Sequence, residues 1–213
     1  MALLTRAGLF AAVCLAALGA LAPSARGADD FGRKGAYFGI GASRAMNTFE
    51  DTFRDAIPLP EVSVSDTWGL NARGGYRFAS WFATELEYEY LDRFGVRAGG
   101  VQVATLTTHT ITENVKFILP AGRFQPYLLA GLGVIIPDQD SKSVVEMKGD
   151  QVAPTGKLGV GMDFYATRNL TLNLGFEAVV NDVHIKTNTF GLVDDDGHGL
   201  NYVTMQLGFG YRF

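Results

Sequence analysis

The chain has 213 residues, of which 47% are hydrophobic, 12% aromatic and 19% charged. These proportions exclude a disordered chain, which would be poorer in apolar residues and richer in charge. The single cysteine excludes a disulfide scaffold, and the net charge of −4 argues against nucleic acid as a partner. The length is that of one domain of ordinary size.

Residues 1–27 predict a secretory signal peptide that is cleaved. Arg6 precedes an uncharged stretch rich in Ala and Leu, and small residues stand before the expected cleavage site at Ala28. The apolar stretch is short for a membrane-spanning helix, which needs about 20 residues. Cys14 lies inside this stretch and follows Val13 rather than a small residue, which argues against a lipoprotein. We expect residues 28–213 to form the folded domain.

Five segments after the signal alternate between apolar residues and polar or small ones. Strict alternation is typical of β-strands whose two faces meet different surroundings. In the clearest case the glutamates at positions 85, 87 and 89 alternate with Leu and Tyr residues. The five segments are Trp68–Phe78, Phe82–Tyr90, Lys157–Tyr165, Leu170–Val180 and Val203–Phe213.

Three further strands are predicted on a weaker pattern. They are Ala36–Ser43, Val103–Leu119 and Tyr127–Ile136. In the second, Glu113 falls on the apolar face, so we expect a bulge or a shifted register there. The third is apolar on both faces, which leaves its register open.

The connections between these eight strands alternate in length. An even number of antiparallel strands, with short turns at one end and long loops at the other, predicts an all-β, eight-stranded, up-and-down transmembrane β-barrel. The short turns lie near residues 79–80, 121–122 and 167–168. The long loops are Ala45–Asp66, Asp92–Gly100, Pro137–Pro154 and Asn181–Leu200, and together they are acidic.

Aromatic residues on the apolar face indicate that this face is turned toward lipid. They gather near the predicted strand ends, as the aromatic girdles of membrane barrels do. A ligand pocket gives no reason to place aromatics at both rims. The predicted girdle consists of Trp68, Tyr76, Phe78, Phe82, Tyr90, Phe117, Phe164 and Tyr211.

The polar face carries five positive and five negative side chains, so its charges balance. Enclosed charges are tolerated when they are paired and hydrogen-bonded, which favours a polar lumen. The members of this predicted lumen network are Arg73, Arg77, Glu85, Glu87, Glu89, Lys116, Lys157, Asp163, Glu177 and Arg212. We expect Arg73 and Arg77 to pair with the three glutamates of the neighbouring strand. An eight-stranded barrel is narrow, so these side chains predict a plugged lumen.

Several stretches resemble the small eight-stranded outer-membrane barrels of the OmpA/OmpX/OmpW-like group. They are residues 122–134, residues 85–91 and the terminal Tyr211-Arg212-Phe213. The resemblance implies a Gram-negative outer membrane, with both termini in the periplasm. It also implies that Phe213 is a C-terminal assembly signal, read by the barrel-assembly machinery and periplasmic chaperones. Outer-membrane lipids and lipopolysaccharide are the other implied partners.

The sequence favours a structural or cell-surface role through the acidic loops, with a surface ligand that it does not identify. The first alternative is a narrow, porin-like conduit for small or hydrophobic solutes, because Leu129 and Ile135 point inward if Tyr127 does. A lipid-modifying barrel enzyme and a soluble ligand-binding barrel are the remaining alternatives.

No catalytic, cofactor-binding or metal-binding residue is predicted. Asp194–His198 lacks the ligand spacing of a calcium loop. The histidines at 109, 184 and 198 form no recognisable nucleophile–base pattern with a serine. The glycines at 131, 133, 159 and 161 fit the inward face of a narrow barrel better than a nucleotide loop.

Overall fold

A computed structural model of the chain describes residues 31–47, 62–98, 101–141, 146–149, 152–181, 185–189, 192–194 and 201–213. The predicted signal peptide lies outside these residues. In the described ranges the regular structure consists of twelve β-strands. No helix in this part of the chain is long and apolar enough to cross a membrane.

Eight long strands form one closed antiparallel barrel. Each pairs with the next long strand in the chain, and the first pairs with the last, so the sheet has no open edge. They are β1 (Gly35–Asn47), β3 (Thr67–Ala79), β4 (Phe82–Ala98), β5 (Val101–Ile118), β6 (Phe124–Ser141), β8 (Ala153–Tyr165), β9 (Leu170–Asn181) and β12 (Tyr202–Arg212). The eight-stranded barrel predicted from the alternation is confirmed.

Four short strands lie in the segments between the long ones. β2 (Val62–Val64) pairs with the far part of β4. β7 (Glu146–Gly149), β10 (Ile185–Thr189) and β11 (Leu192–Asp194) form a separate three-stranded sheet. We call the end of the barrel that carries these longer connecting segments the loop end, and the end that carries the short turns the turn end.

The prediction of a long loop at Asp92–Gly100 is wrong. Residues up to Ala98 continue β4, and β5 begins at Val101, so a strand hairpin replaces most of the loop. The register shifts between Leu91 and Phe94, which indicates a bulge at the two intervening polar residues. Because such a bulge interrupts the alternation of apolar and polar residues, the sequence there has the pattern expected of a loop.

The bulge or shifted register expected at Glu113 is absent. Glu113 lies opposite Leu86 on one side and Leu132 on the other, inside continuous ladders. Its side chain is exposed on the outer face. The register left open for β6 has Tyr127, Leu129 and Ile135 inward and buried.

Glycines on the inner face make room for large side chains. A Cβ at Gly161 would collide with the ring and hydroxyl group of Tyr127 and with the backbone oxygen of Leu174. At the turn end, Gly122 has a φ of +67°, a conformation that glycine adopts without a steric penalty. The barrel wall is thus fitted around its inward tyrosines.

Candidate functional site: the lumen and the outer belt

The outer face of the barrel is predominantly apolar on all eight long strands. Its large hydrophobic side chains are exposed, and Leu132, at 76% exposure, is the extreme case. Such a surface is stable against lipid, whereas in water it would be an aggregation site. The soluble-barrel alternative, which requires the apolar face inside, is therefore wrong.

An aromatic girdle surrounds the turn end. The Phe82 ring lies 5.7 Å from that of Phe117, and the Trp81 ring stacks on Phe117 at 6.4 Å between centroids. Phe124 and Phe164 form another pair at 4.8 Å. Other outward aromatics of this rim are Tyr76, Phe78, Tyr211 and Phe213. Trp81 and Phe124 belong to this girdle although the alternation of the predicted strands did not include them.

A second group of outward rings lies toward the loop end. The Tyr88 hydroxyl is 2.8 Å from His109 Nδ1, and the ring of Tyr90 lies 5.2 Å from the histidine ring. Trp68 is exposed and has the guanidinium of Arg44 over its ring at 5.7 Å. Along β4 the two girdles are about eight residues apart, or about 20 Å along the membrane normal for a strand tilted by about 40°. This is close to the apolar thickness that a barrel presents to a bilayer.

The centre of the lumen contains a cluster of charged and amide side chains from four strands. Lys157 Nζ lies 3.1 Å from Glu87 Oε2 and 2.9 Å from Glu177 Oε2. Gln206 Nε2 donates to Glu87 Oε1 and Glu177 Oε2, both at 2.9 Å, and to Glu89 Oε1 at 3.4 Å. All five side chains are buried. This central cluster connects β4 to β8, β9 and β12 across the lumen.

A second layer lies between the central cluster and the turn end. Arg73 Nη2 donates to Asn173 Oδ1 at 2.7 Å, and Asn173 Nδ2 donates to Asp163 Oδ1 at 2.7 Å. Lys116 Nζ pairs with Asp163 Oδ2 at 2.8 Å and lies 3.7 Å above the ring of Tyr127. The cavity beside these groups has a volume of about 40 Å³, enough for a few water molecules only.

At the turn end, one backbone carbonyl gathers three side chains. The Phe31 oxygen accepts hydrogen bonds from Arg212 Nη1 at 2.7 Å, Gln125 Nε2 at 3.1 Å and Arg77 Nη1 at 3.3 Å. Arg77 also donates to Gln125 Oε1 at 2.7 Å and to the Tyr165 hydroxyl at 3.2 Å. The chain segment before β1 therefore covers this mouth.

The lumen becomes apolar near the loop end. The bulge in β4 turns Phe94 inward, and its ring lies 6.3 Å from that of Tyr202. The Tyr202 hydroxyl and Thr110 Oγ1 are 3.1 Å apart across the barrel. The buried apolar residues of this layer are Ala45, Leu91, Phe94, Ile135, Ala153, Val179 and Tyr202.

The ten side chains assigned to the lumen network all lie inward, but two of their pairings differ from expectation. Arg73 bonds to Asn173, and Arg77 bonds to Gln125, Tyr165 and backbone oxygens. In the described residues neither arginine forms an ion pair with the three glutamates of β4, so the predicted hairpin pairs are wrong. Most partners of these glutamates lie on strands that do not neighbour β4, namely Tyr37 on β1, Lys157 on β8 and Gln206 on β12.

The predicted network consisted of charged side chains, and the structure adds neutral side chains to it. Asn114 Nδ2 donates to Glu87 Oε2 at 3.0 Å, and Tyr37 donates its hydroxyl to Glu85 Oε2 at 2.8 Å. Gln125 and Gln206 have the same role. The alternation along each strand could have predicted these members, because each lies at one of the alternate positions that point into the lumen.

The described residues contain no group of three or more His, Cys, Asp or Glu side chains that could hold a metal ion. His109 lies on the outer face against Tyr88 and Tyr90. His184, His198 and most of the Asp194–His198 stretch lie outside the described residues.

A closed, eight-stranded barrel with an apolar exterior, aromatic girdles and a polar lumen defines an integral membrane β-barrel. The chain belongs to the outer membrane protein beta-barrel domain family, whose model matches residues 10–213. It is therefore an outer-membrane protein of the Gram-negative type. No curated protein sequence matches the chain.

Solved structures show the same fold at low sequence identity. The chain is similar to OprG of Pseudomonas aeruginosa, with 19% identity and a TM-score of 0.61 over 84% of this chain and 96% of that one. It is similar to AlkL, determined in DMPC lipid bilayers, with 16% identity and a TM-score of 0.59 over 84% and 90%. Neisserial surface protein A matches with 12% identity and a TM-score of 0.55 over 84% and 97%.

Proposed function

We propose that this protein is a non-conducting outer-membrane barrel with a structural or cell-surface role. The observation that supports this most directly is the central cluster, in which Lys157 and Gln206 bond to Glu87 across the lumen. The Phe31 carbonyl with its three donors covers one mouth, and the Phe94–Tyr202 contact narrows the other. Eight strands enclose too little space for a continuous water path beside so many inward side chains.

Ion conductance tests the plugged lumen. Refolded protein, checked for insertion by its heat-dependent gel mobility, is placed in a planar bilayer, and we expect no channel steps. The triple variant Glu87→Ala, Lys157→Ala, Gln206→Ala removes the central contacts. Combined with Arg73→Ala and Lys116→Ala in the second layer and Arg77→Ala at the turn-end mouth, it should conduct. The matched control truncates the outward Leu70, Leu207 and Phe209 to Ala and should remain silent. Steady steps from the wild-type protein would contradict the proposal.

A narrow conduit for small or hydrophobic solutes is the second candidate. It is favoured by the inward, buried Leu129 and Ile135 and by the apolar layer around Phe94. The ladders of β6 with β5 and β8 run without a shift beside these residues, so the described strands leave no side opening there. Uptake of an apolar dye by cells that express the protein, reduced by Ile135→Asp but not by Leu132→Asp, would favour the conduit.

We propose that the turn end faces the periplasm and the loop end the cell exterior. Phe31 and Phe213 both lie at the turn end, where Phe213 donates its backbone N–H to the Ala36 oxygen at 3.1 Å. This orientation presents Phe213 to the barrel-assembly machinery and its chaperones, and the acidic loops to lipopolysaccharide and a surface ligand. A cysteine introduced at Asp138 should react with an impermeant maleimide on intact cells, whereas one at Ser80 should not. The opposite labelling would overturn the orientation.

A further inference from the structure

The outer wall contains a shallow groove of about 580 Å³ between β5 and β9. Its border includes Glu113, whose side chain is exposed on the lipid-facing surface. In the described part of the chain the side chain of Glu113 forms no hydrogen bond and no ion pair. Its nearest neighbours across the two ladders are Leu86 and Leu132, both apolar.

Glu113 lies near the middle of the apolar belt. Phe117 in the turn-end girdle lies four positions after it, and His109 near the loop end lies four positions before it. Each interval is about 10 Å along the membrane normal. An ionisable side chain at this depth is unfavourable in lipid alone and marks a site of contact.

Small outward residues form the floor of the groove. Ala130, Gly156 and Ala178 lie between the larger Leu132, Leu158 and Val180. A Cβ built on Gly156 would have no neighbour nearer than the Val180 oxygen at 3.9 Å. Small residues on a lipid-facing surface allow another backbone to approach closely.

We propose that this groove is the interface of a homodimer whose two-fold axis runs along the membrane normal. A second copy related by such an axis places its own Glu113 at the same depth, which no lipid headgroup can reach. Two carboxyl groups that share a proton can donate and accept one hydrogen bond between them. For these carboxyl groups to meet, the axis must pass beside Glu113, so the contact sets the Leu86 side of one copy against Leu132 and the groove of the other.

Cysteine cross-linking in outer membranes tests the location of the interface. Cys14 is the one cysteine of the sequence, so Cys14→Ser gives a background without thiols. We expect Val115→Cys, which lines the groove, to form a disulfide-linked dimer under mild oxidation. The control Leu207→Cys, on the outer face of β12, should remain monomeric. Cross-linking to a species of a different mass, or none at all, overturns the homodimer.

Two substitutions test its chemistry in bilayers of defined lipid. Glu113→Leu removes the paired carboxyls and Gly156→Leu fills the groove, and each should lower the dimer fraction at least tenfold at a fixed protein-to-lipid ratio. The matched control is Gly74→Leu, because Gly74 is an outward glycine where an added Cβ would have no atom within 4 Å. The proposal is overturned if wild-type protein is monomeric at every ratio, or if Glu113→Leu and Gly156→Leu dimerise as well as the control.

Discussion

The inner and outer faces of this barrel are built by the same eight strands but are held by different interactions. Inside, Lys157, Glu87 and Glu177 are fully buried and held by short ion pairs. Outside, side chains such as Leu132, at 76% exposure, lie mainly against the surrounding lipid. An inner side chain therefore depends on particular partners, whereas an outer one depends on the polarity of the solvent that it meets.

An ion pair contributes differently to stability on the two faces. Lys157 and Glu177 pair at 2.9 Å with almost no exposure, while Arg44 and Asp66 pair at 3.4 Å with 49% and 40% of their side chains exposed. Water screens the second pair and cannot reach the first. Substitutions matched between the faces measure this difference.

The largest effect is expected for Lys157→Met. It leaves the buried carboxylates of Glu87 and Glu177 without their cation, which should destabilise the barrel by about 3–5 kcal/mol. The measurement is the urea midpoint of refolding in lipid vesicles. Lys34→Met, at an exposed lysine, should change stability by about 0.5 kcal/mol or less. Equal midpoints for the two variants would remove the energetic distinction between the faces.

A smaller effect is expected for Gly161→Ala on the inner face. The new methyl group must displace the Tyr127 ring, which lies between Lys116 and Asn173, so we expect a loss of about 1–3 kcal/mol. Gly74→Ala, the matched change on the outer face, meets no neighbour and should be near neutral. The same vesicle assay compares the two, and a neutral Gly161→Ala would show that the lumen is loosely packed.

At the turn-end girdle, alanine substitutions of two outward phenylalanines should differ by about 1 kcal/mol in their loss of unfolding free energy. Phe117→Ala loses ring contacts with Phe82 and Trp81 in addition to its contact with lipid, and such ring pairs contribute about 0.5–1.5 kcal/mol. Phe209→Ala loses an outward ring of the same size away from that cluster. If the two variants have equal unfolding free energies, the ring contacts between outward aromatics add no stability.

The smallest effect is expected for Asp66→Asn, which removes the exposed pair with Arg44. The loss should lie between about 0 and 1 kcal/mol and should vanish in high salt, because exposed pairs are screened. A titration of unfolding against salt concentration checks both statements. A loss that salt does not reduce would show that this pair behaves like a buried one.

Alternation along each strand was sufficient to predict the barrel, its closure and the face on which each lumen charge lies. It was insufficient for the partners of those charges, because Lys157 and Glu87 meet across the lumen from strands that are not neighbours in the sheet. The stagger between strands determines which inward side chains come into contact across the lumen. The sequence of a single strand does not specify this stagger. The bulge before Phe94 escaped notice because two polar residues there resemble a loop.

Tyr37 lies opposite Arg212 in the pairing of β1 with β12, so closure joins residues from the two ends of the described chain. Hairpins such as β3–β4 join neighbouring segments, whereas pairing across such a long sequence separation costs more loop-closure entropy and is slower. Until that final pairing, both strands carry unpaired backbone groups that can bind other chains. The time between synthesis and closure is thus the period in which this protein most needs protection from aggregation.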